Sequence, residues 1–286
     1  MTSAWSGRSQ ANPLGYRIFI WLIRYGGLKP AYFLLRFVSI YYLLFSTKAN
    51  SALIEFYTRA KIHKPTLWRH RYQTYNLFGE ALIDKIATYT EANTAISFDF
   101  ENEQELHRLA ASGRGAILMG AHLGNWEIAS QLMHRINAKV YVLMLENEHE
   151  KIKSLLDKVI SEKSFEVITL TDDITMILKI KAALDEGAFI CMHADRYLNQ
   201  KRTLPCEFLG HQALIPEGPF YLAAKLRVPV SYVYAVKQSG FHYQFSCTDA
   251  LESRDLLNLA SAYIRLLEQK ALAHPHQWYN FYPYWS

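Results

Sequence analysis

His122 and Glu127 stand five residues apart in the stretch GAILMGAHLGNWEIASQLMHRI. In one continuous helix that spacing would set them about 140° apart. They converge only where a turn interrupts the chain, and Gly124-Asn125 supplies one. The run from Ala116 to Met119 reads as a buried strand, with His122 just past its carboxyl end and a helix opening at about Asn125 or Trp126. Glu127 then falls in the first helical turn, where the dipole favours its negative charge and the imidazole is within reach. A neutral imidazole can take the proton of an alcohol as that oxygen attacks an ester or thioester carbonyl. A carboxylate on the other ring nitrogen fixes the tautomer and stabilises the imidazolium. Amides at the helix start are placed to hold the oxyanion. Taken alone, this spacing is as readily a capping histidine and an ordinary first-turn glutamate, so the surrounding elements carry the weight.

Other groups need the same weighing. Asp195 and Arg196 follow the apolar run Ala188–His193; they read either as a local surface ion pair or, through the arginine, as a contact to a phosphate. Glu217, in Pro216-Glu217-Gly218, reads as a helix-start charge after Pro216. His193 lies two before Asp195, so on a strand the two share a face. A metal centre built from them lacks the ligand spacing usual for zinc, and no metal or other cofactor is expected. There is no G-x-S-x-G elbow and no compelling nucleophile, which favours direct attack in a ternary complex over a covalent acyl-enzyme.

From about residue 95, apolar β-branched runs alternate with amphipathic stretches. The strands are expected at Gly115–Gly120, Lys139–Leu145, Glu166–Leu170, Ala188–His193, Val228–Val236 and His242–Cys247. Helices are expected near 101–112, 126–136, 148–162, 173–186, 217–227 and 254–273. This alternation argues an α/β fold, a sheet covered by helices. The runs either side of Gln238-Ser239-Gly240 read as a hairpin, so the sheet is expected to be mixed and mostly parallel.

Residues 14–46 are the most hydrophobic part, broken by Gly26-Gly27 and Pro30. The piece from Ala31 to Phe45 would reach about 22 Å as a helix, short of a hydrocarbon core of about 30 Å. Arg17 and Arg24 share a helix face and can snorkel to headgroups. Two interfacial helices in one leaflet are expected; the alternatives are core helices or one tilted span that houses Arg24 and the glycines. Residues 1–62 are thus expected to form a membrane-associated helical segment, and 63–286 an α/β domain. The polar start, MTSAWSGRSQANP, does not read as a cleavable signal peptide.

Half the residues are hydrophobic and a fifth are charged, which excludes a disordered chain. The net charge of +5 is scattered, with no nucleic-acid motif; it suits an anionic lipid face or an acidic carrier. Cys191, Cys206 and Cys247 form no CxxC and read as packing residues in a reducing compartment.

The segment G-A-H-L-G-N-W-E resembles the H-x4-D/E motif of the lysophospholipid acyltransferase superfamily, in particular the lipid A biosynthesis acyltransferases of the lauroyl/myristoyl type. Three further landmarks follow that family's order. They are the apolar amino-terminal segment, the run FICMHADRYLNQKRTLPCEFLGHQALIPEGPFYLAAKLRVPVSYVY, and the closing HPHQWYNFYPYW. The resemblance implies a glycerolipid-acyltransferase-like fold with His122 as general base and Glu127 as its partner. It puts Asp195 in the site wall, and Arg196, Glu217 and Asn125 beside the substrates. It further implies acyl-carrier protein as donor, a lipid acceptor, and the cytoplasmic face of the inner membrane.

Two features depart from the family. After the second strand the stretch MLENEHEKIKSLLDK carries lysines in place of arginine, and the chain ends in FYPYWS instead of a basic run. Both remove charge expected near a bis-phosphorylated glycolipid, which points to another acceptor, such as an aryl-polyene or pigment lipid. A hydrolase, in which His122 activates water, and a non-catalytic lipid-binding protein are the rival readings.

Overall fold

A computed structural model of the chain describes residues 13–88, 96–126, 128, 135–145, 165–171, 173–197 and 200–285. Four helices lead: α1 (Pro13–Gly26), α2 (Leu28–Phe45), α3 (Thr47–Arg59) and α4 (Leu67–Thr88). Then come β1 (Ser97–Glu101), α5 (Glu103–Ala111), β2 (Ala116–Gly120), β3 (Val140–Met144), β4 (Glu166–Thr169), α6 (Ile174–Asp185) and β5 (Phe189–His193). The chain closes with β6 (Thr203–Phe208), β7 (His211–Pro216), α7 (Gly218–Leu226), β8 (Val230–Ser239), β9 (His242–Cys247) and α8 (Leu256–Ala273).

Seven strands form one sheet in the order β1-β9-β8-β2-β5-β3-β4. From β8 to β4 every pairing is parallel; β9 turns back against β8, and β1 runs parallel to β9. The expected α/β class, mixed and mostly parallel, is therefore the fold observed. Strands β2 and β5 sit mid-sheet, buried on both faces, which is why they read as continuous apolar runs. Alternation sends Ile117, Met119, Ile190 and Met192 to one face, under Leu259, Tyr263 and Leu267 of α8 and Ile180 of α6. It sends Ala116, Leu118 and Phe189 to the other, with Leu106 and Leu109 of α5.

Helix α4, strand β1 and the hairpin β6–β7 were not expected. β1 lies at the sheet edge, its Phe98 and Phe100 packed on Phe245. The antiparallel hairpin β6–β7 lies between the expected strand Ala188–His193 and the expected helix near 217–227. Pro205 and Pro216 lie within its strands, a placement tolerated on exposed strand edges. Its turn puts Leu209 and Gly210 at positive φ. The expected helix at 148–162 lies outside the described residues, and of the one at 126–136 only Trp126 and Ile128 are described as helical.

At the amino terminus α2 starts earlier than expected, because Pro30 is accommodated in its first turn, where a missing N–H costs nothing. Its 18 residues reach about 27 Å. It is long and apolar enough to cross a membrane by length and composition, with 22% of it buried. One stripe, Leu28, Ala31, Leu35 and Ser39, is buried and joins Ile83 and Ala87 of α4 in a cluster against Ala235, Tyr243 and Phe245 of the sheet. Gly79 of α4 makes the approach close: a Cβ there would lie 2.2 Å from Cδ1 of Leu35. The opposite stripe of α1 and α2, including Trp21, Tyr25, Phe33, Phe37, Tyr41 and Phe45, is exposed.

The carboxyl-terminal stretch 275–285 is core. Trp278, Tyr284 and Trp285 are buried around Phe208, with Phe56 of α3 edge-on to Trp278. His276 stacks on His70 of α4, with Nε2 2.7 Å from Nδ1 of His70. The three cysteines are free, and burial pushes the thiols of Cys191 and Cys206 up to about 12, which suits packing and makes them poor nucleophiles.

Candidate active site

The centre of the sheet creates the site. Strands β2 and β5 are parallel neighbours in register, with Gly120 opposite His193. The residues just past their carboxyl ends must therefore meet, at the edge where open α/β sheets build their sites. His122 lies two residues beyond β2 and Asp195 two beyond β5. One carboxylate oxygen of Asp195 accepts from Nδ1 of His122 at 2.8 Å, and the other accepts from the His122 backbone N–H at 3.1 Å. Asp195 is buried, whereas the His122 side chain is 24% exposed.

Burial alone would raise the Asp195 pKa. The charge and hydrogen bond of His122, followed by Arg196 and His193, outweigh it and hold the carboxyl well below its usual range. An ionised carboxylate accepts only, so in the neutral imidazole of His122 the proton sits on Nδ1 and the lone pair on Nε2. His193 brings its Nδ1 to 3.4 Å from that Nε2, the ring centroids 4.4 Å apart. Burial, and then the neighbouring His122, push the His193 pKa well down, so it is neutral near pH 7.

Three backbone hydrogen bonds hold the turn behind His122. Gly124 N–H donates to the Gln277 carbonyl at 2.9 Å, Asn125 N–H to the Ala235 carbonyl at 2.7 Å, and Tyr279 N–H to the His122 carbonyl at 2.8 Å. Gly124 has φ +73°, and a Cβ on it would lie 1.9 Å from the Ala235 carbonyl oxygen. Only glycine combines that dihedral with that approach. Gly124→Ala is expected to destabilise the protein by at least about 2–3 kcal/mol; a thermal melt within about 2 °C of wild type, the shift of roughly 1 kcal/mol or less, would refute this account of the turn.

The other residues singled out from sequence are distributed as follows. Asn125 is buried, its Nδ2 donating to the Ala81 carbonyl of α4 at 2.8 Å, so its side chain ties the turn to the helical layer. Arg196 donates from Nη2 to the Tyr279 carbonyl at 2.6 Å and lies over the Tyr282 ring. Tyr282 in turn donates to the Asp195 carbonyl at 3.4 Å. Glu217 caps the start of α7, its carbonyl accepting from Tyr221 N–H at 2.9 Å. Glu127 lies outside the described residues.

The structure thus brings His122, His193 and Asp195 together; their nearest ligand atoms lie within 4.8 Å of one another. The sequence signal for this was the two-residue spacing of His193 and Asp195 on an apolar run. What sequence could not supply was that the run lies directly beside β2, across 73 positions of chain.

A phosphatidylinositol mannoside acyltransferase from Mycobacterium tuberculosis (strain ATCC 25618 / H37Rv) is 25% identical over 181 residues, 61% of this chain and 56% of the relative. The same named protein from strain CDC 1551 / Oshkosh matches with the same identity and coverage. The match thus spans little more than half the length of these curated relatives. The family described as bacterial lipid A biosynthesis acyltransferase matches residues 64–286. That stretch contains the whole sheet, both carboxyl-end residues and the closing aromatic segment, and the chain belongs to this family.

Proposed function

We propose that the protein transfers an acyl group from a thioester, with acyl-carrier protein as the donor, to a hydroxyl of a membrane lipid, using His122 as general base. The observation that carries this is the Asp195 carboxylate on Nδ1 of His122, which commits Nε2 to receiving a proton. As the acceptor oxygen attacks the thioester carbonyl, its proton ends on His122. The imidazolium that forms is stabilised by Asp195, and collapse of the tetrahedral intermediate returns the proton to the departing thiolate. Glu127, the partner implied by the family resemblance, is kept in this reading as a second carboxylate for the imidazolium. In this reading Arg196, beside Asp195, meets a phosphate on donor or acceptor, and Glu217 meets the acceptor.

The exposed aromatic stripe of α1 and α2 supports attachment to a membrane, on the cytoplasmic face of the inner membrane if acyl-carrier protein is the donor. Arg24 lies over Tyr25 there, an arrangement suited to headgroups. Each buried aromatic is worth about 1.5–3 kcal/mol. Phe33→Ser with Phe37→Ser is therefore expected to weaken sedimentation with anionic phospholipid vesicles by at least about 100-fold with the melting temperature unchanged. Undiminished sedimentation would exclude this face as the anchor.

Transfer itself is tested with dodecanoyl-coenzyme A and a total inner-membrane lipid extract, the products read by mass spectrometry. Wild type should form a new acyl-lipid, and His122→Ala should lose roughly 10²–10⁴-fold of that rate. A His122→Ala variant at near-normal rate would end the general-base reading. Equal release of free fatty acid with and without lipid would favour the hydrolase.

A further inference from the structure

His193 is not used by the mechanism above, yet its ring stands against the atom on which that mechanism turns. We propose that His193 is a second catalytic imidazole, which carries the acceptor's proton to His122. The proposal rests on the reading of His122 as base and supplies the route by which that base is charged.

Three observations support it. First, Nδ1 of His193 faces Nε2 of His122 at 3.4 Å, the rings inclined at 66°. A contact of this length is loose for a hydrogen bond, as catalytic contacts commonly are before substrate binds. Secondly, the His193 ring is held there. The Trp126 ring meets it edge-on at 5.3 Å, and the ring lies beside Gly120, its register partner: a Cβ there would come to ordinary contact, 3.4 Å, with Cδ2 of His193. Thirdly, burial and the neighbouring His122 keep His193 neutral, so it passes a proton on instead of retaining it.

The tautomers then follow. Asp195 fixes the proton of His122 on Nδ1, leaving a lone pair on Nε2. If His193 also presented a lone pair, the two would repel across the gap. The stable arrangement has the His193 Nδ1–H directed at His122 Nε2, and the lone pair of His193 on its own Nε2. With Nδ1–H in place, His122 gains a proton by this route when His193 hands over that one and takes another.

In the forward step the acceptor oxygen bonds to the thioester carbon and its proton moves to Nε2 of His193. The Nδ1 proton of His193 moves to Nε2 of His122, leaving the positive charge beside Asp195. In the collapse the carbon–sulfur bond breaks and its electron pair goes to sulfur. The thiolate takes the proton from Nε2 of His193, while His122 returns its own to Nδ1 of His193. No other reactant is needed, and both imidazoles end as they began.

The test uses the full chain with dodecanoyl-coenzyme A and the inner-membrane lipid extract, in single-turnover mode. His193→Asn keeps an amide donor near Nε2 of His122 but cannot relay, whereas His193→Ala removes both. Both are expected to lose about 100-fold or more with unchanged melting. Added imidazole should restore part of the His193→Ala rate. The wild-type rate in mixtures of light and heavy water should fall along a curve, the mark of two protons in flight, and that of His193→Asn along a straight line. A His193→Asn rate within about threefold of wild type, roughly 0.7 kcal/mol, or a straight line for wild type, overturns the relay. Inactive His122→Ala beside active His193→Asn would sink the relay alone, whereas active His122→Ala would sink the base reading beneath it.

Discussion

Asp195→Asn is expected to lower the rate of acyl transfer by about 10⁴-fold while leaving the protein folded. The estimate comes from the loss of the carboxylate in a serine-protease triad, where the geometry survives but the histidine adopts the wrong tautomer. The same physics applies here. Asparagine presents either an amide N–H, which turns Nδ1 of His122 into the acceptor and moves the ring proton to Nε2, or a neutral oxygen, which does little for an imidazolium. Either way the lone pair is misplaced or the charge unsupported. The backbone N–H of His122, now bound by the carboxylate at 3.1 Å, still finds an oxygen, so the turn holds. Rate and circular dichroism on one preparation check both halves.

The pH dependence has a definite sign. The folded-state pKa of Asp195 is depressed below the ordinary value of about 3.9. Its stabilisation is therefore complete above that ordinary value and is lost as pH falls through the folded one. The stability gap between wild type and Asp195→Asn should be flat at neutral pH and close only in strong acid. Glu127→Gln is the matching control. If that variant were as inactive as His122→Ala while Asp195→Asn stayed within roughly tenfold of wild type, about 1.4 kcal/mol, the partner of the imidazole would be Glu127.

How far the site was legible depended on whether its geometry is local. His122 could be found because a buried strand, a histidine and a Gly-Asn turn are consecutive, and the turn's glycine is required by the approach of Ala235. The contact between His122 and Asp195 is not local. It exists because β5 inserts beside β2 while β3, next in sequence after β2, pairs on the far side of β5. Periodicity gives strands but not their order. The hairpin β6–β7 was missed because Pro205 and Pro216 count against a strand, and Leu209-Gly210 lacks the Asn-Gly signature of a tight turn. The closing aromatic segment had the composition of either an interface anchor or a core. Its burial was settled by distant partners, Phe56, Phe208 and His70.

The same non-locality governs the largest expected loss of stability, at Lys237. This lysine extends from β8 and is 7% exposed. Its Nζ lies 2.8 Å from Asp84 and 2.8 Å from Glu80, both on α4. It also donates to the Tyr32 hydroxyl of α2, while Tyr32 and Tyr243 donate to Asp84. One cation thus joins the sheet to two helices, with the rings of Tyr32, Phe241 and Tyr243 around it. Lys237→Met fills much of the same volume but leaves two carboxylates facing each other without their cation. Breaking a buried pair from one side costs about 3–5 kcal/mol, and the melting temperature should fall by roughly 10 °C. Because the Lys237 backbone is bracketed by the Gln277 side chain, and the Gln277 carbonyl holds Gly124, the loosening should reach the His122 turn and lower activity well below the melting point. Replacing all three charges together, as Lys237→Met with Glu80→Gln and Asp84→Leu, should recover much of the loss, since an apolar substitute has no unpaired charge to bury. Lys237→Met melting with wild type would mean that the helical layer is held by its apolar stripe alone, with the buried ions contributing nothing net.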